Sequence, residues 1–198
     1  PTKMMESQQI LEKLEQNTNF WLRVDKILEN SKNRETIFFS LKSLQKGVQT
    51  KWDLLSDDEK KGISSYIENF MSSLLNDENM NSTKKTYLYK INSILVEVIK
   101  KELTHNWKTA LSDLSKSALK SQKFCENVLL ILKELSIEIF DFWKNSITSQ
   151  EIQNLKQTFS SEFKSVFDLC MFVLKSYLSD PVKMNVSLIS TCLETIQA

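Results

Sequence analysis

The sequence is poor in the residues that build tight turns, with two glycines and two prolines among its 198 residues. Sheets whose strands are joined by short turns use these residues more often, because glycine adopts unusual backbone angles and proline presets the turn. Hydrophobic residues make up 41% of the chain, which is enough for a folded core rather than a disordered chain. The sequence therefore predicts an all-α globular protein.

Residues that carry catalysis or bind metals are also scarce. His105 is the single histidine, and the cysteines Cys125, Cys170 and Cys192 are far apart and form no Cys-x-x-Cys pair. A structural zinc site takes four cysteine or histidine ligands, and the two isolated glycines form no phosphate-binding loop. We therefore expect no enzyme active site, no cofactor and no metal. His105 is expected in a surface turn, and the cysteines are expected to be reduced and buried.

Neither an excess of one charge nor a long apolar run is present. The chain has 26 lysines and arginines against 25 acidic residues, a net charge of +1 at pH 7. Nucleic-acid-binding proteins usually carry a basic excess. A membrane span needs about twenty mostly apolar residues with few charges, and no sorting signal is visible. The sequence predicts no nucleic-acid partner and no membrane association.

The stretch from Ser121 to Phe142 is the most informative part of the chain. Its main apolar set recurs at the helical spacing of three and four residues. A second apolar set falls on the other sides of the same helix, and a helix that is apolar nearly all round must be buried on several sides. The main set is Phe124, Val128, Ile131, Leu132, Leu135 and Ile139, and the second set is Leu130, Ile137 and Phe140. Neighbouring helices are therefore expected before, behind and after it.

Helical patterns joined by short polar turns cover the rest of the chain. We predict helices over residues 3–16, 34–52 and 84–103, and further helices that carry Phe20–Leu28, Ile63–Leu75, Trp107–Ala118 and Ile152–Tyr177. Phe38 and Phe163 fall on the apolar stripes of their helices and are expected in the core. Gly47 lies inside a helix, so either a neighbour packs closely against it or the position is merely tolerated.

Two local signals mark helix starts. The run Ser56-Asp57-Asp58-Glu59 fits a capping box, in which Ser56 and Glu59 each accept from the backbone of the other. Asp180 followed by Pro181 predicts an N-cap and a first-turn proline for the last helix.

The helices recur in pairs at a spacing of roughly 40 residues, which is the period of HEAT repeats. A compact bundle gives a similar pattern. The helix predicted over Ser121–Phe142, the central helix, favours a solenoid instead, because the interior helix pairs of a solenoid are covered on both sides. The chain opens at Pro1 and closes inside the apolar-periodic run Val186, Ile189, Leu193 and Ile196, without a glycine or proline stop. We therefore expect residues 1–198 to be one all-helical repeat region of about four to five repeats. It would be a fragment of a longer superhelix, with apolar surface exposed at both ends.

Five stretches carry recognisable patterns in a fixed order. They are FWLRVDKILENS (20–31), FFSLKSLQKGVQTKW (38–52), KTYLYKINSILVEVIKKELTHNW (85–107), FCENVLLILKELSIEIFDF (124–142) and SSEFKSVFDLCMFVL (160–174). Together they resemble the N-terminal region of the exportin-1 family, the nuclear export receptors of the importin-β superfamily. The resemblance covers nearly the whole chain.

The resemblance implies a HEAT-repeat α-solenoid whose first repeats contact the GTP form of the small GTPase Ran. In this superfamily the second helices of those repeats line the concave side, and here they would be residues 34–52 and 84–103. The candidate Ran-binding residues lie off the core stripes of these helices: Lys42, Lys46 and Gln49 on the first, and Lys90, Ser93, Glu97 and Lys101 on the second. For each of them the competing explanation is a plain solvated helix face.

The resemblance also implies the remaining partners and the localisation. Export cargo with leucine-rich signals would bind through parts of the protein outside this region, and nucleoporins are a further class of partner. The protein would shuttle between nucleus and cytoplasm through the nuclear pore.

Three other interpretations stay open at this point. The chain could belong to another receptor of the importin-β superfamily, or to an unrelated helical-repeat scaffold. It could also be the helical accessory domain of an enzyme whose active site lies elsewhere in a longer chain.

Overall fold

The structure, a computed structural model, describes residues 20–140, 149–183 and 185–198. Among these residues every regular element is helical and no strand occurs. They form α1 (Val24–Asn30), α2 (Arg34–Lys51), α3 (Asp57–Asn76), α4 (Ser82–Glu102), α5 (Ala110–Ala118), α6 (Gln122–Phe140), α7 (Ser149–Ser179) and α8 (Val186–Gln197). Short 3-10 turns cover Phe20–Arg23, Trp52–Leu54 and Pro181–Lys183. The all-α prediction is confirmed, and the helix predicted over residues 3–16 lies outside the described residues.

The chain divides into two compact units, Pro1–Glu97 and Val98–Ala198. Helix α4 crosses this boundary, so its residues up to Glu97 are described with the first unit and its last residues with the second. Each unit is built from helix pairs joined by short turns, and each has its own buried apolar residues.

In the first unit, α1 and α3 lie next to each other, as do α2 and α4. The Tyr66 hydroxyl of α3 donates to the backbone carbonyl of Asp25 in α1 at 3.5 Å. Between α2 and α4, Lys90 Nζ donates to Gln45 Oε1, and Gln49 Nε2 donates to Glu97 Oε1 at 2.9 Å. Since both contacts advance in the same direction along the two helices, α2 and α4 are parallel. This is the arrangement of second helices in stacked antiparallel pairs.

Gly47 allows α2 to approach the start of α1. A Cβ atom built on Gly47 would lie 2.2 Å from Trp21 Cδ2 and 2.6 Å from Trp21 Cγ, far inside van der Waals contact. Of the two explanations for this glycine, close packing is therefore the correct one. Gly62 in α3 is the opposite case, because its added Cβ would meet no atom within 4 Å.

The capping box at the start of α3 is confirmed. Ser56 Oγ accepts from the amide of Glu59 at 3.4 Å, and Glu59 Oε2 accepts from the amide of Ser56 at 2.9 Å. The hydrogen bond from the Ser56 amide, with a second from its hydroxyl, holds the pKa of Glu59 below its usual range. The acidic first turn also lies at the positive end of the helix dipole.

The second unit repeats the arrangement of the first, in which alternate helices lie next to each other. Between α5 and α7, Ser112 Oγ donates to Glu162 Oε2 at 2.7 Å. Between α6 and α8, Ser187 bonds to Glu126, and Lys133 pairs with Glu194 at 2.7 Å. These two contacts advance together, so α6 and α8 are parallel, as α2 and α4 are. The stacked pairs within each unit agree with the predicted HEAT-repeat fold class.

The three cysteines of the second unit are buried and free, as predicted. Burial, with a smaller contribution from Cys192, raises the pKa of Cys125 to about 11. Cys192 Sγ lies 3.7 Å from the backbone carbonyl oxygen of Cys170. The three thiols fill the core of the second unit.

The start of the last helix was predicted wrongly. Asp180 precedes the 3-10 turn Pro181–Lys183. Helix α8 begins at Val186 with Asn185 as its N-cap, whose side chain accepts from the amide of Ser187 at 2.9 Å. The reason lies in α6: Gln122 Nε2 donates to the carbonyl of Lys183 at 2.8 Å, and Gln122 Oε1 accepts from the amide of Asn185 at 3.1 Å. These two bonds hold Lys183 and Asn185 against the start of α6.

Several apolar residues predicted to be buried are exposed instead. Phe38 is 39% exposed and Phe163 is 50% exposed, although both lie on apolar stripes. In α8 the core residues are Leu188, Thr191 and Cys192. The apolar residues Val186, Leu193 and Ile196 of the same helix lie off this core and are 79%, 48% and 56% exposed, and exposed apolar surface was expected there. An apolar stripe shows which side of a helix faces the core. How many of its residues are buried depends on how closely the neighbouring helices approach.

Candidate protein-binding face on helices α2 and α4

The outer faces of α2 and α4 in the first unit carry six of the seven predicted site residues. On α2, Lys42, Lys46 and Gln49 are exposed and lie one turn apart. On α4, Lys90, Ser93 and Glu97 are half-buried and follow one another at helical spacing. We call these six residues, together with Gln45, the α2–α4 face.

Two pairs of residues join the helices across this face. Gln49 and Glu97, both predicted site residues, are hydrogen-bonded at 2.9 Å. Lys90 bonds to Gln45, which the sequence analysis did not single out. Gln45 could have been found from spacing, because Lys42, Gln45, Lys46 and Gln49 are three and four residues apart and share one side of a helix.

Lys90 is the most perturbed charge on the α2–α4 face. Burial, and then the positive charge of Lys42, hold the pKa of Lys90 below its usual range. The positive charge of Lys42 on α2 therefore disfavours the charged form of Lys90 on α4. The α2–α4 face therefore carries one half-buried positive charge, Lys90, and one exposed positive charge, Lys42.

Lys101, the seventh predicted site residue, belongs to the second unit. It is half-buried near the end of α4. Its neighbour Lys100 pairs with Glu138 of α6 at 3.2 Å, a contact that the sequence analysis did not predict.

None of the described residues form a group of three or more His, Cys, Asp or Glu side chains that could hold a metal ion. His105 lies exposed in the turn after α4, as predicted. No helix in the described part of the chain is long and apolar enough to cross a membrane.

Two family models match the chain, and each covers one of the two helices of this face. The importin-beta N-terminal domain matches residues 7–73, and the family described as exportin 1-like protein matches residues 84–198. Helix α2 lies in the first match and α4 lies almost entirely in the second. The chain belongs to the exportin 1-like family, so it is not an unrelated helical scaffold.

Individual relatives agree with this assignment. The chain is 37% identical over 190 residues to exportin-1 of Drosophila melanogaster, and the aligned residues cover 96% of the chain and 17% of that protein. It is 38% identical over 167 residues to the protein exportin 1B of Arabidopsis thaliana (84% and 16%), and 34% identical over 191 residues to exportin-1 of Dictyostelium discoideum (96% and 18%). The chain thus spans less than one fifth of the length of these relatives.

Proposed function

We propose that this chain is the Ran-GTP-binding region of a nuclear export receptor and acts by binding, not by catalysis. The observation that carries the proposal is the α2–α4 face, which presents Lys42, Lys46 and Lys90 on adjacent helices of an exportin 1-like chain. On this proposal residues 1–198 act as one helical-repeat region of the receptor. Lys101, near the end of α4 in the second unit, is a further candidate Ran-binding residue.

The wider role follows from the same family. Cargo with leucine-rich signals would bind through parts of the receptor outside these residues, and nucleoporins would be further partners during passage through the nuclear pore. The protein would then be found in both nucleus and cytoplasm. A stacked-helix surface suits this role, because it offers an extended binding area without a catalytic pocket. Directionality requires only that the GTP form of Ran binds more tightly than the GDP form.

We expect the chain to bind Ran loaded with a non-hydrolysable GTP analogue more tightly than Ran-GDP. Reversing two charges on the face, Lys42→Glu with Lys46→Glu, should weaken binding by about tenfold or more, because like charges then oppose the partner surface. Isothermal titration calorimetry at two salt concentrations measures both effects.

A matched control is a second double reversal in the same unit, Lys32→Glu with Lys61→Glu, which changes the net charge equally at exposed positions. Equal weakening by both double variants would mean that net charge, and not the α2–α4 face, governs binding. Equal affinity for the two nucleotide forms, in this chain and in the full-length protein, would contradict the Ran assignment.

We also expect this chain alone not to bind a leucine-rich export-signal peptide, since the proposal assigns cargo to other parts of the receptor. Fluorescence anisotropy with a labelled peptide tests this. A micromolar affinity that an unlabelled peptide competes away would contradict the expectation.

A further inference from the structure

The contact between Lys90 and Gln45 differs from two lysine contacts that join neighbouring helices in the second unit. In the second unit, Lys100 of α4 pairs with Glu138 of α6, and Lys133 of α6 pairs with Glu194 of α8. In the first unit, Lys90 of α4 donates to the neutral side-chain amide of Gln45 on α2. Among the residues that the structure describes, neither Lys90 nor Lys42 has a carboxylate partner.

Within the described part of the chain, the Lys90 ammonium therefore has a hydrogen-bond partner but no neighbouring carboxylate. Lys90 is half-buried, and partial burial strengthens its interaction with any nearby charge. Lys42 lies one turn before Gln45 on α2 and so on the same side of the helix as the residue that holds Lys90, and its positive charge lowers the pKa of Lys90 further. Gln45 Oε1 accepts only one of the three protons that a lysine ammonium can donate. An anion beside both lysines would relieve their repulsion and complete the hydrogen bonding of Lys90.

We propose that Lys42, Gln45 and Lys90 form a binding site for one carboxylate, an aspartate or glutamate side chain on the surface of the GTPase. The site rests on the proposed function for the identity of that partner. Lys90 anchors the carboxylate, Lys42 contributes a second positive charge, and Gln45 fixes the position of the Lys90 ammonium.

The side chains of the face favour a carboxylate over a phosphate group. Arginine, which binds phosphate through two parallel hydrogen bonds, is absent from the seven residues of the face. Glu97, seven residues beyond Lys90 on α4, accepts a hydrogen bond from Gln49, so the face already holds one carboxylate in the same way.

The site can be tested without the GTPase. We would label the lysine side chains at Cε and Nζ and follow their NMR shifts while adding the capped peptide acetyl-Gly-Glu-Gly-amide. The peptide acetyl-Gly-Gln-Gly-amide is the uncharged control, inorganic phosphate is the competing anion, and exposed Lys61 is the internal reference.

The shifts of Lys42 and Lys90 should saturate with the glutamate peptide at a concentration where Lys61 barely moves. Similar changes at all three lysines, or with the glutamine peptide, would overturn the site. A stronger response to inorganic phosphate than to the glutamate peptide would overturn its assignment to a carboxylate.

Binding to the GTPase then tests the source of the carboxylate. Lys42→Met and Lys90→Met should each weaken binding of Ran loaded with the GTP analogue by about fivefold, and Lys61→Met should change it less than about twofold. Because the two lysines share one carboxylate, the double variant should lose less than the product of the single losses. Exposed Lys42 keeps the test valid even if Lys90→Met perturbs folding, which circular dichroism would reveal.

The outcomes separate the site from the proposed function. If the unchanged chain binds Ran but the Lys42 and Lys90 variants behave like Lys61→Met, the carboxylate site is wrong and the Ran proposal stands. If the unchanged chain and the full-length protein both fail to bind Ran, the GTPase is wrong as the source of the carboxylate.

Discussion

We expect Leu129→Ala to lower the free energy of unfolding by about 2–5 kcal/mol, the usual cost of truncating a fully buried leucine. Leu129 lies in α6, which packs against α5, α7 and α8. Its side chain is 0% exposed, and its backbone carbonyl accepts from Thr195 Oγ1 of α8 at 3.2 Å. Neighbours held on several sides cannot easily collapse into the cavity. Urea denaturation followed by circular dichroism measures the loss as a shift of the midpoint at unchanged slope.

The matched control is Leu178→Ala in α7 of the same unit. Leu178 is 77% exposed, so the same chemical change removes little buried surface and should alter the free energy of unfolding by less than about 0.5 kcal/mol. A loss for Leu129→Ala no larger than that of the control would mean that α6 is not the core helix of its unit.

The central helix shows how far the sequence predicted the fold. Its main apolar stripe is buried, and helices pack against it on several sides, as expected from residues that are apolar nearly all round. Ile137 and Phe140 are nevertheless 40% and 43% exposed. Both lie in the last turn, so the pattern identified the helix and its core but not how far the neighbours reach along it.

The candidate site was predictable one helix at a time. Lys42 and Gln49 on α2, and Lys90 and Glu97 on α4, lie off the core stripes, and helical periodicity is sufficient to find them. The relative positions of α2 and α4 depend on packing between repeats, which one sequence does not encode locally. The side of α2 on which Gln45 lies was predictable from spacing, but its contact with Lys90 of the other helix was not.

Local signals were reliable where the interaction is itself local. The capping box of Ser56 and Glu59 formed as predicted, since both partners lie within four residues of each other. The predicted cap at Asp180 failed because a distant side chain, Gln122, binds the segment that follows it.

We expect Gly47→Ala to destabilise the protein by about 1–3 kcal/mol, the range for overpacking a well-filled contact. The new methyl group would lie 2.2 Å from Cδ2 and 2.4 Å from Cε3 of Trp21, so the indole must move. Trp21 is 5% exposed, and the nearest atoms include Cγ at the root of its rigid ring, so a change of rotamer at the tip cannot relieve the clash. Alanine favours a helix over glycine by up to about 1 kcal/mol, which offsets only part of this cost.

Gly62→Ala separates the clash from the helix propensity. Gly62 also lies inside a helix, but its new methyl group would meet no atom within 4 Å, so the propensity gain of up to about 1 kcal/mol should appear undiminished. The same substitution should therefore change the free energy of unfolding in opposite directions at the two glycines. Tryptophan fluorescence during chemical denaturation measures both variants. Stabilisation by Gly47→Ala would show that Trp21 does not pack on α2, and the α1–α2 pair would then lack its closest contact.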